Sequence, residues 1–173
     1  MNDSRNVVDQ YKGMPMEEIV ADLDASGVEL QIAIDNVERD FNMGTIVRSA
    51  NAFGVRHIHI IGRRQWNKRG AMMTDKYLHV HYHTEADEFL EAIADRRLVA
   101  VDNVAGSVPL HSVVLPGDSV LLFGAEGPGI RPELLEKATA VVAIEQFGST
   151  RSLNVGVAAG IAMYAWLQCN RLN

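Results

Sequence analysis

Five short apolar runs constrain this chain more than any other feature: Leu30–Asp35, His57–Ile61, Leu98–Asp102, Ser119–Phe123 and Ala140–Ile144. They are rich in Val and Ile and bounded by Gly, Asp or Asn, with little polar alternation. Such runs suit parallel strands covered on both faces. A weaker strand is expected at Tyr77–Tyr82. Helical segments fall between the runs. Thr45–Phe53 puts Ile46, Ala50 and Phe53 on one face and ends at Gly54. Thr84 caps a helix running to Arg96, with Asp87 three residues on. Pro132 opens a short helix to Lys137. The alternation predicts an α/β fold with a mostly parallel sheet flanked by helices. The 173 residues suit a single domain, 1–173. Within it, 1–28 form an N-terminal extension with a helix near Met16–Leu23.

Composition excludes several classes. The one cysteine, Cys169, rules out a disulfide framework within the chain and fits a reducing, cytoplasmic setting. No apolar run approaches the roughly 18 residues needed to span a bilayer. Met1–Lys12 is polar and does not read as a signal peptide. The 22 acids outnumber the 16 bases, for a net charge of −6. Taken alone, that balance argues against a polyanionic partner. The charge is uneven, however. Met1–Leu30 holds seven acids against Arg5 and Lys12, whereas Arg63, Arg64, Lys68, Arg69 and Lys76 face Asp75 alone. Trp66 and Tyr77 lie among these bases, a mixture suited to phosphate contacts and base stacking. The plain alternative is a solvated loop.

The last helix, about Val155–Gln168, is apolar all round with small residues on one side. Such a helix is buried on more than one face. One face packs on the sheet, and the other either completes a monomer core or meets a partner subunit; a homodimer is favoured.

Three loops at strand ends carry polar groups. Asn36–Gly54 contains Asn42 and Gly44, which open a helix, and Arg48, the sole cation on it. Arg48 is either a functional group or an arginine lying along the surface of the core. Phe123–Ile130 has three glycines in six residues, so its backbone turns sharply or approaches a ligand. It lacks the dinucleotide fingerprint and the Walker lysine, which weakens a nucleotide-binding oxidoreductase reading. Glu126 in this turn has no obvious packing role. Ile144–Asn154 leads into the last helix, which Ser152 or Asn154 caps. His57 and His59, and His79, His81 and His83, alternate along two strands. Side chains on one strand face stand about 7 Å apart, so exposed histidines are favoured over a metal site. No metal is expected.

Together the three loops closely resemble the signature motifs of the SpoU/TrmH branch of the SPOUT RNA methyltransferases. Asn42, Gly44, Ile46, Arg48, Ala50, Ala52 and Gly54 match the first motif, Gly124 to Gly129 the second, and Ser152 to Val155 the third. The similarity runs from about Leu30 to Trp166, with the motifs in order. Glu145 stands where relatives often carry proline, and Ala125 where many carry asparagine. The resemblance implies a C-terminal deep trefoil knot, a homodimer through the last helix, and S-adenosylmethionine as cofactor. It places cofactor contacts near Val101, Gly124, Ile144, Ser152 and Leu153. It makes Arg48, Asn42, Glu126, Ser152 and Asn154 active-site residues.

The implied activity is methyl transfer to a ribose 2′-hydroxyl of RNA, with tRNA somewhat favoured over rRNA. A positioned cation stabilises a developing alkoxide, and arginine is ordinarily a poor base. Arg48 is therefore either that stabiliser or a base that has given up its proton; Glu126 is expected to orient its neighbours. Arg63, Arg64, Lys68 and Arg69 are the expected RNA-binding cations. The alternative is a knotted RNA-binding protein that has lost catalysis.

Overall fold

The computed structural model describes residues 5–36 and 42–172. Residues 37–41 of the first motif loop and the ends of the chain lie outside the described residues. The strands are β1 (Gln31–Asn36), β2 (His57–Gly62), β3 (His79–His83), β4 (Arg97–Val101), β5 (Val108–Pro109), β6 (Ser119–Phe123) and β7 (Ala140–Ala143). They form one sheet in the order β3-β2-β1-β6-β4-β7-β5, every pairing parallel. The helices are α1 (Met16–Ser26), α2 (Met43–Ala52), α3 (Ala86–Ala92), α4 (Pro132–Leu135) and α5 (Val155–Asn170).

Period-two alternation sends each strand's apolar residues to two cores. Ile32, Ile34, Ile58, Ile60, Val99, Leu121 and Phe123 face a layer built from Ile46, Val47 and Ala50 of α2 and Ala159, Ala162, Met163 and Trp166 of α5. Ala33, Ile61, Ala100, Val120 and Leu122 face the other layer, with Phe89, Ile93 and Leu134. Coverage on both faces explains the near-continuous apolar runs. The helices α2 and α5 meet closely because Gly156 is buried against Thr45; a Cβ there would stand 3.1 Å from the Thr45 side chain.

Several expectations change. The helix after β3 runs only Ala86–Ala92. Thr84 does not cap it through its hydroxyl; its backbone N–H donates to Glu88 Oε2 at 2.8 Å. The strand expected at Tyr77–Tyr82 begins later, because Thr74–Tyr77 is a 3-10 turn that buries Tyr77. The two-residue β5 was too short to read from periodicity. The N-terminal segment is docked on the protein: Tyr11, Ile19 and Tyr77 form a small cluster. Asp24 also pairs with Arg56 Nε at 2.7 Å.

The histidines are not a row of exposed side chains. The strands β2 and β3 pair in register, His57 with His79 and His59 with His81. Rings from the two strands stack at centroid distances of 4.9–5.3 Å. His57 and His81 share a hydrogen bond of 3.0 Å, and His59 and His83 one of 2.9 Å. Phe89 of α3 covers His59 and His83, so His59 is only 5% exposed. The spacing along one strand was right, but neighbours on the adjacent strand are nearer, at about 4.8 Å. Among the described residues no group of three or more His, Cys, Asp or Glu is arranged to hold a metal ion. No helix among them is long and apolar enough to cross a membrane.

The loop after β6 depends on a contact between two backbones. A Cβ on Gly124 would stand 2.2 Å from the Gly129 carbonyl carbon, so no larger residue fits. The turn between them closes through Gly129 N–H donating to Ala125 O at 3.0 Å. Gly127 and Gly129 have φ of 102° and 74°, the left-handed region that glycine adopts freely. Two carboxylates at neighbouring strand ends hold the far side. Asp102 Oδ2 accepts from Ile130 N–H at 3.2 Å, and Asp35 accepts from both the N–H and Nε of Arg131 at 2.9 Å. Asp35 is fully buried, and burial raises its carboxyl pKa against the pull of Arg131.

Two predictions follow from the fold. Gly124→Ala should lower stability by about 3 kcal/mol, because backbone rather than a yielding side chain blocks the methyl; an unchanged urea midpoint would contradict the loop geometry. Burial lowers the His59 pKa to about 3. It also lowers those of His57, His81 and His83. The unfolded chain therefore takes up protons below pH 6.5 while folded His59 does not, and stability falls as pH drops from 6.5 toward 3. Asp35 acts in the opposite sense at the acid end. Between pH 7 and pH 5 the native protein should lose about 2 kcal/mol more than His59→Gln. Equal losses in urea titrations would refute a neutral, buried His59.

Candidate active site

A cavity of about 390 Å³ opens at the carboxyl ends of the adjacent strands β6, β4 and β7. This is where ligands bind in open parallel sheets, because helix-capped loops diverge there. Val101, Asp102 and Asn103 leave β4, Phe123 and Gly124 leave β6, and Ala143 and Ile144 leave β7 to line it. The glycine loop contributes Ala125, Glu126, Gly127 and Gly129, and Ser152–Val155 close it at the start of α5. All five expected cofactor contacts, Val101, Gly124, Ile144, Ser152 and Leu153, line this space.

Asn154 joins the three motif loops. Its Nδ2 donates to Asn42 Oδ1 and to Glu126 Oε1, each at 2.9 Å. Its Oδ1 accepts from Val157 N–H at 3.2 Å and caps α5. The two donor hydrogens and the acceptor of one amide thus tie the start of α2, the glycine loop and α5 together. Asn154 is the helix cap and Ser152 is not; Ser152 is exposed and lines the cavity.

Asn42, Glu126 and Asn154 are brought together, and Ser152 stands beside them in sequence and in the cavity wall. Arg48 is not among them. It is exposed on α2 and does not line the cavity. Asp102, Asn103 and Gln146 escaped the sequence reading. Asp102 and Asn103 had a usable signal, since they directly follow a buried strand that ends at the ligand edge. Gln146 had none: its Oε1 is buried without a hydrogen-bond partner among the described residues, in a residue that lines the cavity. An orphan acceptor of this kind is satisfied when a ligand supplies a donor. With apolar Val101, Phe123, Ile144 and Leu153 opposite, the lining suits a ligand of mixed polarity.

Arg63, Arg64, Lys68 and Arg69 are all exposed. Their segment is folded rather than loose. Asn36 Nδ2 donates to the Arg63 and Gln65 carbonyls. The turn at Arg69–Ala71 packs on α2 so tightly that a Cβ on Gly44 would stand 2.7 Å from Ala71 N. The interleaved aromatics are already engaged. Trp66 packs against the core, lies under Lys68 Nζ at 5.3 Å and donates to Tyr82 OH; Tyr77 is buried. They are not free platforms for bases, contrary to the sequence expectation, because the segment folds back on its own aromatics. Within the basic stretch Lys68 pairs with Asp75 at 2.7 Å, and Arg63, Arg64 and Arg69 remain exposed.

The α5 helix buries Gly156, Ala159, Ala162, Met163 and Trp166 and leaves Val157, Ile161 and Tyr164 40–52% exposed. An apolar stripe of α5 is therefore left partly uncovered within one chain.

The comparisons agree with this geometry. The model of the SpoU rRNA Methylase family matches residues 29–164. An uncharacterized tRNA/rRNA methyltransferase from Mycobacterium sp. (strain KMS) is 33% identical over 156 residues, covering 85% of this chain and 49% of its own. The chain thus spans about half the length of that curated relative. A tRNA (guanosine(18)-2'-O)-methyltransferase from Aquifex aeolicus is 30% identical over 142 residues, or 79% of this chain and 67% of its own. Among solved structures, the A. aeolicus TrmH/SpoU tRNA modifying enzyme superposes with a TM-score of 0.78 at 25% identity, over 91% of this chain and 85% of that one. An AdoMet-bound rRNA methyltransferase from Sinorhizobium meliloti gives 0.72 at 28% identity, over 80% and 56%. With its three motif loops joined at the Asn154 amide and the family match covering most of its length, the chain belongs to the SpoU rRNA methylase family.

Proposed function

We propose that the protein is an S-adenosylmethionine-dependent RNA methyltransferase acting on a ribose 2′-hydroxyl, with tRNA favoured over rRNA. One observation carries this reading: the Asn154 amide gathers Asn42, Glu126 and α5 at the rim of a cavity built on three strand ends. The relatives named for 2′-O-methylation and for bound AdoMet support the chemistry, and the A. aeolicus tRNA enzyme supports the substrate.

The cavity residues fit the cofactor. Apolar walls at Val101, Phe123, Ile144 and Leu153 suit a flat aromatic group, and the orphan Gln146 Oε1 suits an amino donor. Gly124 and Gly129 present backbone without a side chain to the cavity, and at Gly124 none fits. When bound, the cofactor supplies a methyl group on a sulfonium. The chain's own residues hold the reactants in line, a large part of the rate in such transfers. Asn154 and Glu126 are committed to each other and keep the loops in register. Glu126 is thus a positioning residue rather than the base. Arg48 stabilises the ribose oxygen as negative charge develops on it, and the hydroxyl proton passes to water or to a phosphate oxygen of the substrate.

Arg48 does not line the cavity of its own chain, and α5 exposes an apolar stripe. Together these support a homodimer through α5 in which one subunit's arginine serves the other's site. The exposed cations from Arg63 to Arg69 extend the positive surface for RNA. The stretch between β4 and β6 also lies over the end of the chain. Trp166 Nε1 donates to Pro116 O at 2.8 Å, Asn170 Nδ2 to Leu115 O at 3.0 Å, and Asn103 Nδ2 to Arg151 O at 3.4 Å. The trefoil threading itself is what the family resemblance implies. A tRNA or rRNA substrate accords with a cytoplasmic setting.

The second reading, an inactive RNA-binding relative, is disfavoured by the intact Arg48, Glu126, Ser152 and Asn154. Arg48→Ala separates the two readings. It should reduce labelled methyl transfer at least about 100-fold, the scale of losing a charge-stabilising donor, with cofactor affinity by calorimetry unchanged. Undiminished transfer would refute the role of Arg48, and absence of cofactor binding by the native protein would favour the inactive relative.

A further inference from the structure

We infer that Phe147 is a stacking platform for an unpaired RNA base beside the cavity; this rests on the RNA methyltransferase reading. Phe147 is 98% exposed, more than any other large apolar side chain among the described residues. Burying such a ring is worth about 1.5–3 kcal/mol, and the chain does bury Phe89 and Phe123. Phe147 forgoes that gain at a particular place. It lies in the loop between β7 and α5, whose two ends both line the cavity: Ile144 and Gln146 on entry, Ser152, Leu153 and Asn154 on exit. The Glu145 carboxylate meets the His111 ring two residues before Phe147.

The neighbours identify the occupant. Gly148, Ser149, Thr150 and Arg151 are small or polar and all exposed, and a Cβ on Gly148 would meet nothing within 4 Å. A second protein chain would seek apolar neighbours, and the uncovered apolar stripe is on α5 instead. A bare aromatic face, open space and an arginine four residues on match the needs of single-stranded RNA. The ring stacks on a base, and the cation meets the phosphate. Methylating a ribose hydroxyl requires its nucleotide to be held at the cavity rim, and a stacked base at Phe147 holds it. Stacking tolerates any base, so Phe147 positions the substrate and leaves sequence choice to other groups.

The test compares native protein with Phe147→Leu, Phe147→Tyr and Phe147→Trp. The substrate is RNA extracted from cells lacking the gene, with labelled S-adenosylmethionine as donor. Phe147→Leu keeps the apolar bulk but loses the flat π-face. It should lower kcat/KM for RNA about tenfold, the scale of one lost stacked base, while cofactor affinity and sedimentation stay unchanged. Phe147→Tyr should retain native activity to within about threefold. The added tryptophan of Phe147→Trp should be quenched when RNA binds, against the background of Trp66 and Trp166. A leucine variant as active as native protein overturns the inference. A leucine variant that changes the sedimentation assigns the ring to a subunit contact and also overturns it. If native protein transfers no methyl to this RNA, the methyltransferase reading itself fails and the inference falls with it.

Discussion

The contact between Gly124 and Gly129 is the constraint on which the rest of the site depends. Where a Cβ would begin on Gly124, the Gly129 carbonyl carbon is already 2.2 Å away. Only hydrogen fits, so the chain leaving β6 doubles back at once. That reversal brings Glu126 to the Asn154 amide and leaves bare backbone along the cavity. It also delivers Ile130 and Arg131 to the carboxylates of Asp102 and Asp35, at the ends of β4 and β1. Asp35 is buried while Arg131 is partly exposed, and removing the arginine is costly because it leaves the carboxylate inside without its counter-charge.

Around this loop the polar groups divide into those that hold and those that are free to act. Both donor hydrogens of the Asn154 side chain join the motif loops, and its oxygen caps α5. Asp102 and Asp35 are likewise spent on backbone and guanidinium. Arg48 stands apart, exposed on α2, whose start is fixed by the glycine-on-glycine packing of Gly44 and Gly70. The same packing ties the basic segment to the helix that carries Arg48. The basic segment and Arg48 therefore share one rigid support.

The parallel sheet was legible because strands buried on both faces must be continuously apolar, as Ile32–Ile34 and Val120–Phe123 are. The three motif loops were legible through their ordered resemblance to the SpoU/TrmH signatures. The contacts which that resemblance implies at Val101, Gly124, Ile144, Ser152 and Leu153 all line one cavity. What stayed hidden depends on neighbours distant in sequence. The histidines read as exposed because the pairing of β2 with β3 is invisible to a single-strand count. Trp66 and Tyr77 read as free for bases because nothing local shows that the segment folds onto Tyr82 and Tyr11. The cap of α5 was ambiguous between Ser152 and Asn154, two equally good cap residues. The orphan acceptor of Gln146 exists only once the cavity has formed.

The central claim is that this cavity serves methyl transfer to a ribose oxygen. It is tested most directly by incubating RNA with the native protein and methyl-labelled S-adenosylmethionine, then digesting the RNA to nucleosides and locating the label by mass spectrometry. The account predicts label on 2′-O-methylated ribose. Label on the bases, or none on RNA while the cofactor binds, would contradict it.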